Sequence, residues 1–213
     1  MKQKARFAVL ATALTLAAAQ ASADTLTFDT LAVGTVLSNQ YAGVTFAPNA
    51  FAGAGSSSSL EAWATNTDMT IVSSTGTDVG GLGTPAGVVS GNLLRSFAGW
   101  LSEDGDPSFT VSFASAINAF SAAFAGVTTG SDVTLFVFNG ATQIGTVSGA
   151  AAGQFVLSFA APSITSVAIR PGSFNDWVGV DNISFTAAVP EVSTYAMMGL
   201  GLALLAFKRR RQA

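Results

Sequence analysis

The sequence predicts an all-β protein whose body, residues 24–188, folds as an antiparallel β-sandwich, and three observations lead to this prediction. The body is rich in Gly, Ser, Thr, Ala, Val and Phe and poor in Leu and Lys, which favours strands and turns over helices. Apolar and polar residues alternate in short segments, and turn residues separate these segments roughly every 8–12 residues. No helical periodicity in the body is long enough to compete with this pattern.

The first half of the body contains four predicted strands separated by longer loops. These strands cover residues 26–28, 44–46, 69–72 and 88–100. Residues 53–59 (GAGSSSS) are predicted as a flexible loop because Gly and Ser dominate them. The loops make this half the less regular part of the predicted sandwich.

The second half contains six predicted strands in closer succession. Residues 108–113 (SFTVSF) give the clearest alternation, with the two Phe residues and Val111 on one face. The other five strands cover residues 132–138, 143–147, 154–159, 164–169 and 177–185. Residues 132–138 are apolar on both faces, which indicates a central strand. Asn139-Gly140 predicts a hairpin that joins this strand to the next.

The N-terminus has the three regions of a secretory signal peptide, predicted as residues 1–23. Three cations lie within the first six residues, and an uncharged apolar run follows at residues 7–19. Ala21 and Ala23 complete an Ala-x-Ala site, so we expect the general secretory machinery to cleave after Ala23. The alternative is an uncleaved N-terminal anchor.

The C-terminal segment, residues 189–213, combines a polar motif, an apolar run and a basic cluster. The apolar run at residues 195–207 would span roughly 20 Å as a helix, against about 30 Å for the hydrocarbon core. Residues 192–194 and outward-reaching basic side chains lengthen it, so we predict a transmembrane helix at about residues 192–207. The basic cluster, residues 208–211, keeps that end cytoplasmic and the body outside.

This order of parts resembles the PEP-CTERM sorting signal of Gram-negative bacteria that make exopolysaccharide. The matching residues are Val189, Pro190, Glu191, Ser193 and Thr194 of the motif at 189–194, followed by Lys208, Arg209, Arg210 and Arg211. Val192 stands where the family pattern has a second proline. The resemblance implies a transient inner-membrane anchor with the body in the periplasm. An exosortase then removes the tail, and the body reaches the cell surface or biofilm matrix. The alternative is a plain C-terminal anchor.

A looser resemblance covers most of the body. Phe28-Asp29, residues 34–37 (GTVL), residues 41–46 (YAGVTF) and residues 180–185 (VDNISF) resemble the jelly-roll bodies that PEP-CTERM proteins often carry. The resemblance implies a jelly-roll-like sandwich of the lectin or carbohydrate-binding type.

Charge and residue types exclude several classes of function for the body. Residues 24–188 contain two arginines and eleven acidic residues, a net charge of −9, which disfavours nucleic acid and anionic lipid as partners. Calcium and neutral partners such as glycans fit this charge better. The chain has no Cys and no His, which excludes disulfides, His- or Cys-based zinc sites, and Ser-His-Asp or Cys-His catalysis.

Two sets of carboxylates are candidate sites for a structural Ca²⁺. Glu103, Asp104 and Asp106 crowd one turn, where a hard cation would neutralise them; the alternative is a solvated acidic turn. In jelly-roll binding modules a structural calcium often ties the end of the first strand to the last strand, and Asp29 and Asp181 hold those positions. The alternative is that Asp29 caps a turn and Asp181 lies at a β-bulge.

The three tryptophans are candidate glycan contacts, because the face of a Trp ring can stack on a sugar. Trp63 lies near Asn66 and Asp68, whose polar groups could bond to sugar hydroxyls, while Trp100 and Trp177 flank predicted strands. The alternative for each tryptophan is packing in the core or at a sheet edge.

The sequence therefore predicts an exported, non-catalytic surface or matrix protein that associates with exopolysaccharide and is a candidate glycan binder. The alternative is a carboxylate-dependent glycan hydrolase that uses Glu61 with Glu103 or Asp104. An ice-binding role is less favoured, because it needs a flat array of threonines and those at Thr65 and Thr67 are scattered.

Overall fold

The computed structural model describes residues 23–48, 68–75, 88–97, 108–127, 129–171, 178–188 and 199. These residues contain nine strands and two short 3-10 turns, at Phe28–Thr30 and Gly130–Asp132. The strands are β1 (Ala23–Leu26), β2 (Val44–Pro48), β3 (Asp68–Ser73), β4 (Asn92–Phe97), β5 (Phe109–Val127), β6 (Thr134–Asn139), β7 (Thr142–Ser148), β8 (Gly153–Arg170) and β9 (Gly179–Ala187). All of them belong to one compact unit, Ala21–Ala188.

Every pair of neighbouring strands is antiparallel, which confirms the predicted all-β antiparallel architecture. The strand order is β3-β4-β9-β5-β8-β6-β7, with β1 also paired to β9 and β2 also paired to β5. The fold is sandwich-like, and the finer jelly-roll assignment stays a prediction.

Two long strands, β5 and β8, run through both halves of the fold. The first part of β5 pairs with β2 and with the last part of β8, which in turn pairs with β6. The second part of β5 pairs with β9 and with the first part of β8. The β5–β8 register shifts between Ser112 and Ile117, so the ladder is irregular where the two halves meet. We call the half in which the first part of β5 lies the β6 half, and the half in which the second part of β5 lies the β9 half.

Both halves contribute side chains to one hydrophobic core. Phe109 and Leu135 from the β6 half are fully buried in the same cluster as Phe124 and Ile183 from the β9 half. Burying a side chain of this size contributes about 1.5–3 kcal/mol. The shared core is therefore what holds the two halves together.

Gly145 of β7 and Gly149, the residue after β7, allow this part of the chain to lie close to the aromatic rings of β8. A Cβ atom at Gly145 would overlap the ring of Phe159, and a Cβ atom at Gly149 would overlap the ring of Phe155. Since both rings come from the first part of β8, these contacts bring the edge of the β6 half against the β9 half. Side chains at these glycines would push the two apart.

Several predicted strands are confirmed to within a few residues. β2, β3 and β7 lie where the alternation placed them, and Asn139-Gly140 forms the predicted hairpin between β6 and β7. β6 lies between β7 and β8, which confirms the central position predicted from its two apolar faces.

The length of β5 differs from the prediction. The alternating pattern ended at Phe113, whereas the strand continues to Val127. Its last part is buried on both faces, as the neighbouring residues Ala122 and Ala123 show. A strand covered on both sides loses the alternation on which the prediction depended.

The two strands predicted at residues 154–159 and 164–169 are a single strand, β8. Pro162, which is exposed, lies between the β8 partners of Ala119 and Ile117, where the ladder to β5 is irregular. A proline is tolerated in a strand where no N–H is needed for the ladder.

The strands predicted at residues 26–28 and 88–100 are displaced. β1 ends at Leu26, because Phe28 begins a 3-10 turn. β4 begins at Asn92, because Gly91 has a φ of +66° and interrupts the extended backbone.

Within the described residues, no helix is long and apolar enough to cross a membrane. The transmembrane helix predicted at about residues 192–207 lies outside that part of the chain except for Gly199, which is helical. The predicted span therefore stays a prediction.

Candidate functional site

The structure brings Asp29 and Asp181 to one end of the β9 half. Leu26 of β1 pairs with Ile183 of β9, which places the 3-10 turn after β1 beside Asp181. Leu94 of β4 pairs with Val180, which brings residues 88–92 to the same place. Three segments that are distant in sequence therefore meet around this end of β9.

The carboxylate of Asp181 lies at the centre of this meeting point. Its residue is 1% exposed. One oxygen, Oδ2, accepts a hydrogen bond from the N–H of Ser90 at 3.2 Å, and Oδ1 accepts one from the N–H of Asn182 at 2.7 Å. The N–H of Phe28 also donates to this carboxylate. Asp181 thus joins β9 to the segment after β1 and to the segment before β4.

Asn182 forms a β-bulge next to Asp181. The pairing of β9 with β5 shifts between Ser121 and Ala123, and Asn182 has a φ of +48°. Asn is among the few non-glycine residues that adopt this left-handed conformation readily. Its side-chain Nδ2 also donates to the main-chain oxygen of Val88 at 2.8 Å, which adds another bond between β9 and the segment before β4.

Asp29 caps the start of β4. Its Oδ1 accepts a hydrogen bond from the N–H of Asn92 at 2.7 Å. Gly91 makes this possible, because a Cβ atom there would overlap the same oxygen. The side-chain Nδ2 of Asn92 donates a hydrogen bond to the main-chain oxygen of Leu31 at 2.9 Å. We call Asp29, Ser90, Asn92, Asp181 and Asn182 the β9 cluster.

Burial and charge shift the ionisation of groups in and beside the β9 cluster. Burial raises the pKa of Asp181, the charge of Asp29 adds to this effect, and the N–H bonds oppose it. Burial also raises the pKa of Tyr41, with smaller contributions from both aspartates, and its hydroxyl donates to the main-chain oxygen of Thr27 at 2.9 Å. The two carboxylates are therefore close enough to repel each other.

The β9 cluster fits the alternative reading of these aspartates, a capped turn and a bulge, and it also fits a cation. A Ca²⁺ ion prefers carboxylate and carbonyl oxygens and would offset the repulsion between Asp29 and Asp181. Each carboxylate oxygen has about two lone-pair sites, so one N–H bond leaves room for a second partner. The described residues contain no group of three or more acidic side chains that could hold a metal ion. Main-chain carbonyls and water would have to complete the coordination.

Most of the other predicted site residues lie outside the described part of the chain. They are Trp63, Asn66, Trp100, Trp177, Glu61, Glu103, Asp104, Asp106, Ala21 and the sorting residues Val189, Pro190, Glu191, Ser193, Thr194, Lys208, Arg209, Arg210 and Arg211. Asp68 begins β3, and Ala23 begins β1.

A shallow groove that sequence reasoning missed lies on the β9 half. Its volume is about 450 Å³, and its lining residues are Ala23, Ala119, Phe120, Ser121, Ser158, Phe159, Ala160, Ser184, Phe185 and Thr186. Ser121 of β5 pairs with Ser158 of β8 on one side and with Ser184 of β9 on the other. Thr25 continues this row of hydroxyls, with its Oγ1 2.7 Å from the Oγ of Ser184.

A signal for this groove exists in the sequence. Residues 119–121 (AFS), 158–160 (SFA) and 184–186 (SFT) each contain a Phe between two small residues. Phe120 is buried in the core while its neighbours lie on the outer face, so small residues from three strands meet there. Only the register of the strands shows that the three triplets are adjacent.

Comparisons with known proteins do not assign this chain to a family. No protein-family model matches it, and no curated protein matches it. Among solved structures, the K2 cleaved adhesin domain of Lys-gingipain is 17% identical with a TM-score of 0.45, and the match covers 77% of this chain and 99% of that domain. The K3 cleaved adhesin domain of Lys-gingipain from Porphyromonas gingivalis w83 is 13% identical with a TM-score of 0.39, covering 73% and 98%. At this level of similarity, neither match carries a conclusion about function.

Proposed function

We propose that this chain is an exported, non-catalytic protein of the cell surface or extracellular matrix. Its PEP-CTERM-like tail is processed by an exosortase, and the mature body associates with exopolysaccharide. The motifs at the two ends of the sequence support this localisation. The observation that carries the proposal in the structure is that β1 and β9 pair at the very point where the chain enters and leaves the body.

Ala23 pairs with Thr186, and the N–H of Ala188 bonds to the main-chain oxygen of Ala116. The predicted signal peptide ends at Ala23 and the predicted sorting segment begins at residue 189. Neighbouring strands of a sheet lie about 5 Å apart. The residues at which the two predicted membrane-directed segments join the body are therefore close neighbours, which is compatible with both segments reaching one membrane.

The test is the fate of the full chain in a bacterium that has an exosortase. We expect the protein to reach the surface or medium without its tail. A variant with residues 208–211 replaced by Ser should stay uncleaved, because the basic end that orients the helix is lost. Val33→Ser, in an exposed loop, is the control and should behave as wild type. Recovery of the wild-type chain from the cytosol would overturn the proposal.

A structural Ca²⁺ at the β9 cluster, held by Asp29 and Asp181, is part of the proposal. A ligand that binds only the folded form stabilises it, by about 2.7 kcal/mol at a hundred times its Kd. Ca²⁺ should therefore raise the Tm relative to EDTA, and Asp181→Asn should remove most of the difference. Asp24→Asn, which removes an exposed charge on β1, is the matched control. If Asp104→Asn removes the effect instead, the ion belongs to the turn with Glu103 and Asp106.

Glycan binding is supported by the groove of the β9 half. Its lining is mainly apolar and carries a row of hydroxyl groups, which can both donate to and accept from sugar hydroxyls. Ser158→Tyr would fill the groove, whereas Thr146→Tyr places the same ring on exposed β7. We expect only Ser158→Tyr to weaken binding on a glycan array. Equal effects of both variants would remove the groove from the proposal and leave the tryptophans as candidates.

The non-catalytic part of the proposal has its own test. Glycans that the protein binds are incubated with it and examined for cleavage. We expect no cleavage. Bond cleavage that Glu61→Gln or Glu103→Gln abolishes would establish the hydrolase instead.

A further inference from the structure

The peptide bond predicted to be cleaved by signal peptidase lies within the paired part of β1. Ala23 and Asp24, the residues on either side of this bond, are both part of β1, where they pair with Thr186 and Phe185 of β9. We propose that the body protects this bond once β1 has paired with β9, so that the N-terminal segment must be removed before the body finishes folding. The inference rests on the proposed function, because it takes export and cleavage after Ala23 as given.

Main-chain pairing, and not burial of side chains, covers the bond itself. The side chains of Ala23, Asp24 and Thr25 are all exposed. Their register with Thr186, Phe185 and Ser184 is continuous, and the Oγ atoms of Thr25 and Ser184 lie 2.7 Å apart. The bond is therefore visible to solvent from one side while its strand is held in a ladder.

Two buried side chains just beyond the bond hold β1 in place. Leu26 is 8% exposed and Phe28 is 0% exposed, and both belong to the main core. The N–H of Phe28 also donates to the carboxylate of Asp181. A peptidase needs several residues after the Ala23–Asp24 bond, and releasing that length of β1 would disturb the contacts of Leu26 and Phe28. We therefore expect this longer opening to be rare in the folded body.

Hydrolysis requires that opening. Water adds across the Ala23–Asp24 amide, leaving a carboxylate on Ala23 and an ammonium group on Asp24. A peptidase must hold several residues on both sides of the bond in its own cleft, and a strand already paired on β9 cannot enter the cleft. After cleavage, residues 24–26 remain to pair with β9 as the first strand of the mature body.

The test uses the full chain in detergent micelles with purified signal peptidase and follows the product that starts at Asp24 by mass spectrometry. In one arm the chain is diluted from urea in the presence of the peptidase, and in the other it is folded first. We expect cleavage of the folded chain to be at least about tenfold slower, because only the locally opened population is cleaved.

Leu26→Ser tests whether β1 pairing is the cause. It removes a buried anchor of β1 without changing the Ala-x-Ala site, so it should speed cleavage of the folded chain several-fold and leave the urea arm unchanged. Val156→Ser, on an exposed position of β8, is the control and should match wild type in both arms. Far-ultraviolet circular dichroism confirms that each folded sample is folded.

The outcomes separate this inference from the proposal it rests on. Equal rates in the two arms for wild type would overturn the protection. So would a slow folded arm that Leu26→Ser does not speed. Absence of cleavage after Ala23 in both arms would instead overturn the predicted signal-peptide cleavage on which this inference rests, and would favour the uncleaved N-terminal anchor.

Discussion

The two ends of β9 are held in different ways. At the Asp181 end, main-chain N–H groups from three segments donate to one buried carboxylate. The side chains of Asp29 and Asn182 add further hydrogen bonds between these segments. At the Thr186 end, β9 meets β1 through main-chain pairing, and the β1 side chains there, Ala23, Asp24 and Thr25, are exposed. We therefore expect substitutions at the Asp181 end of β9 to change the free energy of unfolding more than substitutions at its Thr186 end.

This difference has a consequence for function. The Asp181 end fixes where the chain segments lie, and it offers two carboxylates to a cation. At the Thr186 end, Ala23 of β1 pairs with β9, and under the proposed function this pairing forms only after the signal peptide has been removed.

The largest effect is expected from Gly91→Ala, at the Asp181 end. The added Cβ would overlap Oδ1 of Asp29 and would sit on a left-handed backbone with a φ of +66°. We expect a loss of about 3 kcal/mol in the free energy of unfolding, measured by urea denaturation.

Gly43→Ala separates the two causes of that loss. Gly43 has a φ of +76° and no heavy atom within 4 Å of a Cβ built on it, so only the backbone conformation is strained. Its cost should be about 1–2 kcal/mol. Equal losses for both variants would mean that the contact with Asp29 contributes nothing.

Asn182 should show the next largest effect. Asn182→Ala loses the bond from Nδ2 to Val88 and strains the left-handed bulge, for an expected cost of about 2 kcal/mol. Asn182→Gly loses the same bond but relieves the backbone, so it should cost about 1 kcal/mol. If Gly were the worse substitution, the bulge geometry would not be the reason for asparagine here.

Asp181→Asn should change the pH dependence of stability. A carboxyl whose pKa is raised by folding binds its proton more readily in the folded form than in the unfolded form. Its contribution to stability is then fully present below the unfolded pKa of about 3.9 and is lost as the pH rises through the folded pKa. In EDTA, the Tm of wild type minus that of Asp181→Asn should therefore fall between acidic and neutral pH.

Ca²⁺ provides a second comparison. A cation bound at neutral pH would favour the charged form of Asp181, so the Tm difference between wild type and Asp181→Asn should then rise with pH. Thr25→Val, which removes no titrating group, should give a Tm difference that stays constant with pH. If the Tm difference between wild type and Asp181→Asn rose with pH in EDTA, the raised pKa of Asp181 would be contradicted.

The smallest effect is expected at the Thr186 end. Thr25→Val removes the exposed hydroxyl contact with Ser184 but keeps the β-branched shape. The free energy of unfolding should change by less than about 0.5 kcal/mol, as for most exposed positions. A loss as large as that of Asn182→Ala would erase the contrast between the two ends.

The sequence predicted the strands whose two faces differ, and it also predicted β6 from its two apolar faces, but it missed the later part of β5. Residues 108–113 alternate because one side meets solvent, whereas the later part of β5 is buried on both sides and shows no period. The hairpin at Asn139-Gly140 was visible because its turn chemistry is local. The joining of the two halves by β5 and β8 was not, since it depends on register.

The candidate site shows the same limit. Asp29 and Asp181 could be singled out by their positions after the first strand and within the last. The participation of Gly91 and Asn92 could not, because the β4–β9 pairing that brings them there is a long-range contact. The groove of the β9 half was missed for the same reason, although the sequence shows the three Phe-centred triplets that line it.

The most direct test of the account is the intact mass of the protein isolated from its native cells, with the fraction in which it is found. The account predicts a surface or extracellular protein whose first residue is Asp24 and which lacks the apolar segment 195–207. A cytosolic protein that retains both Met1 and Ala213 would contradict it.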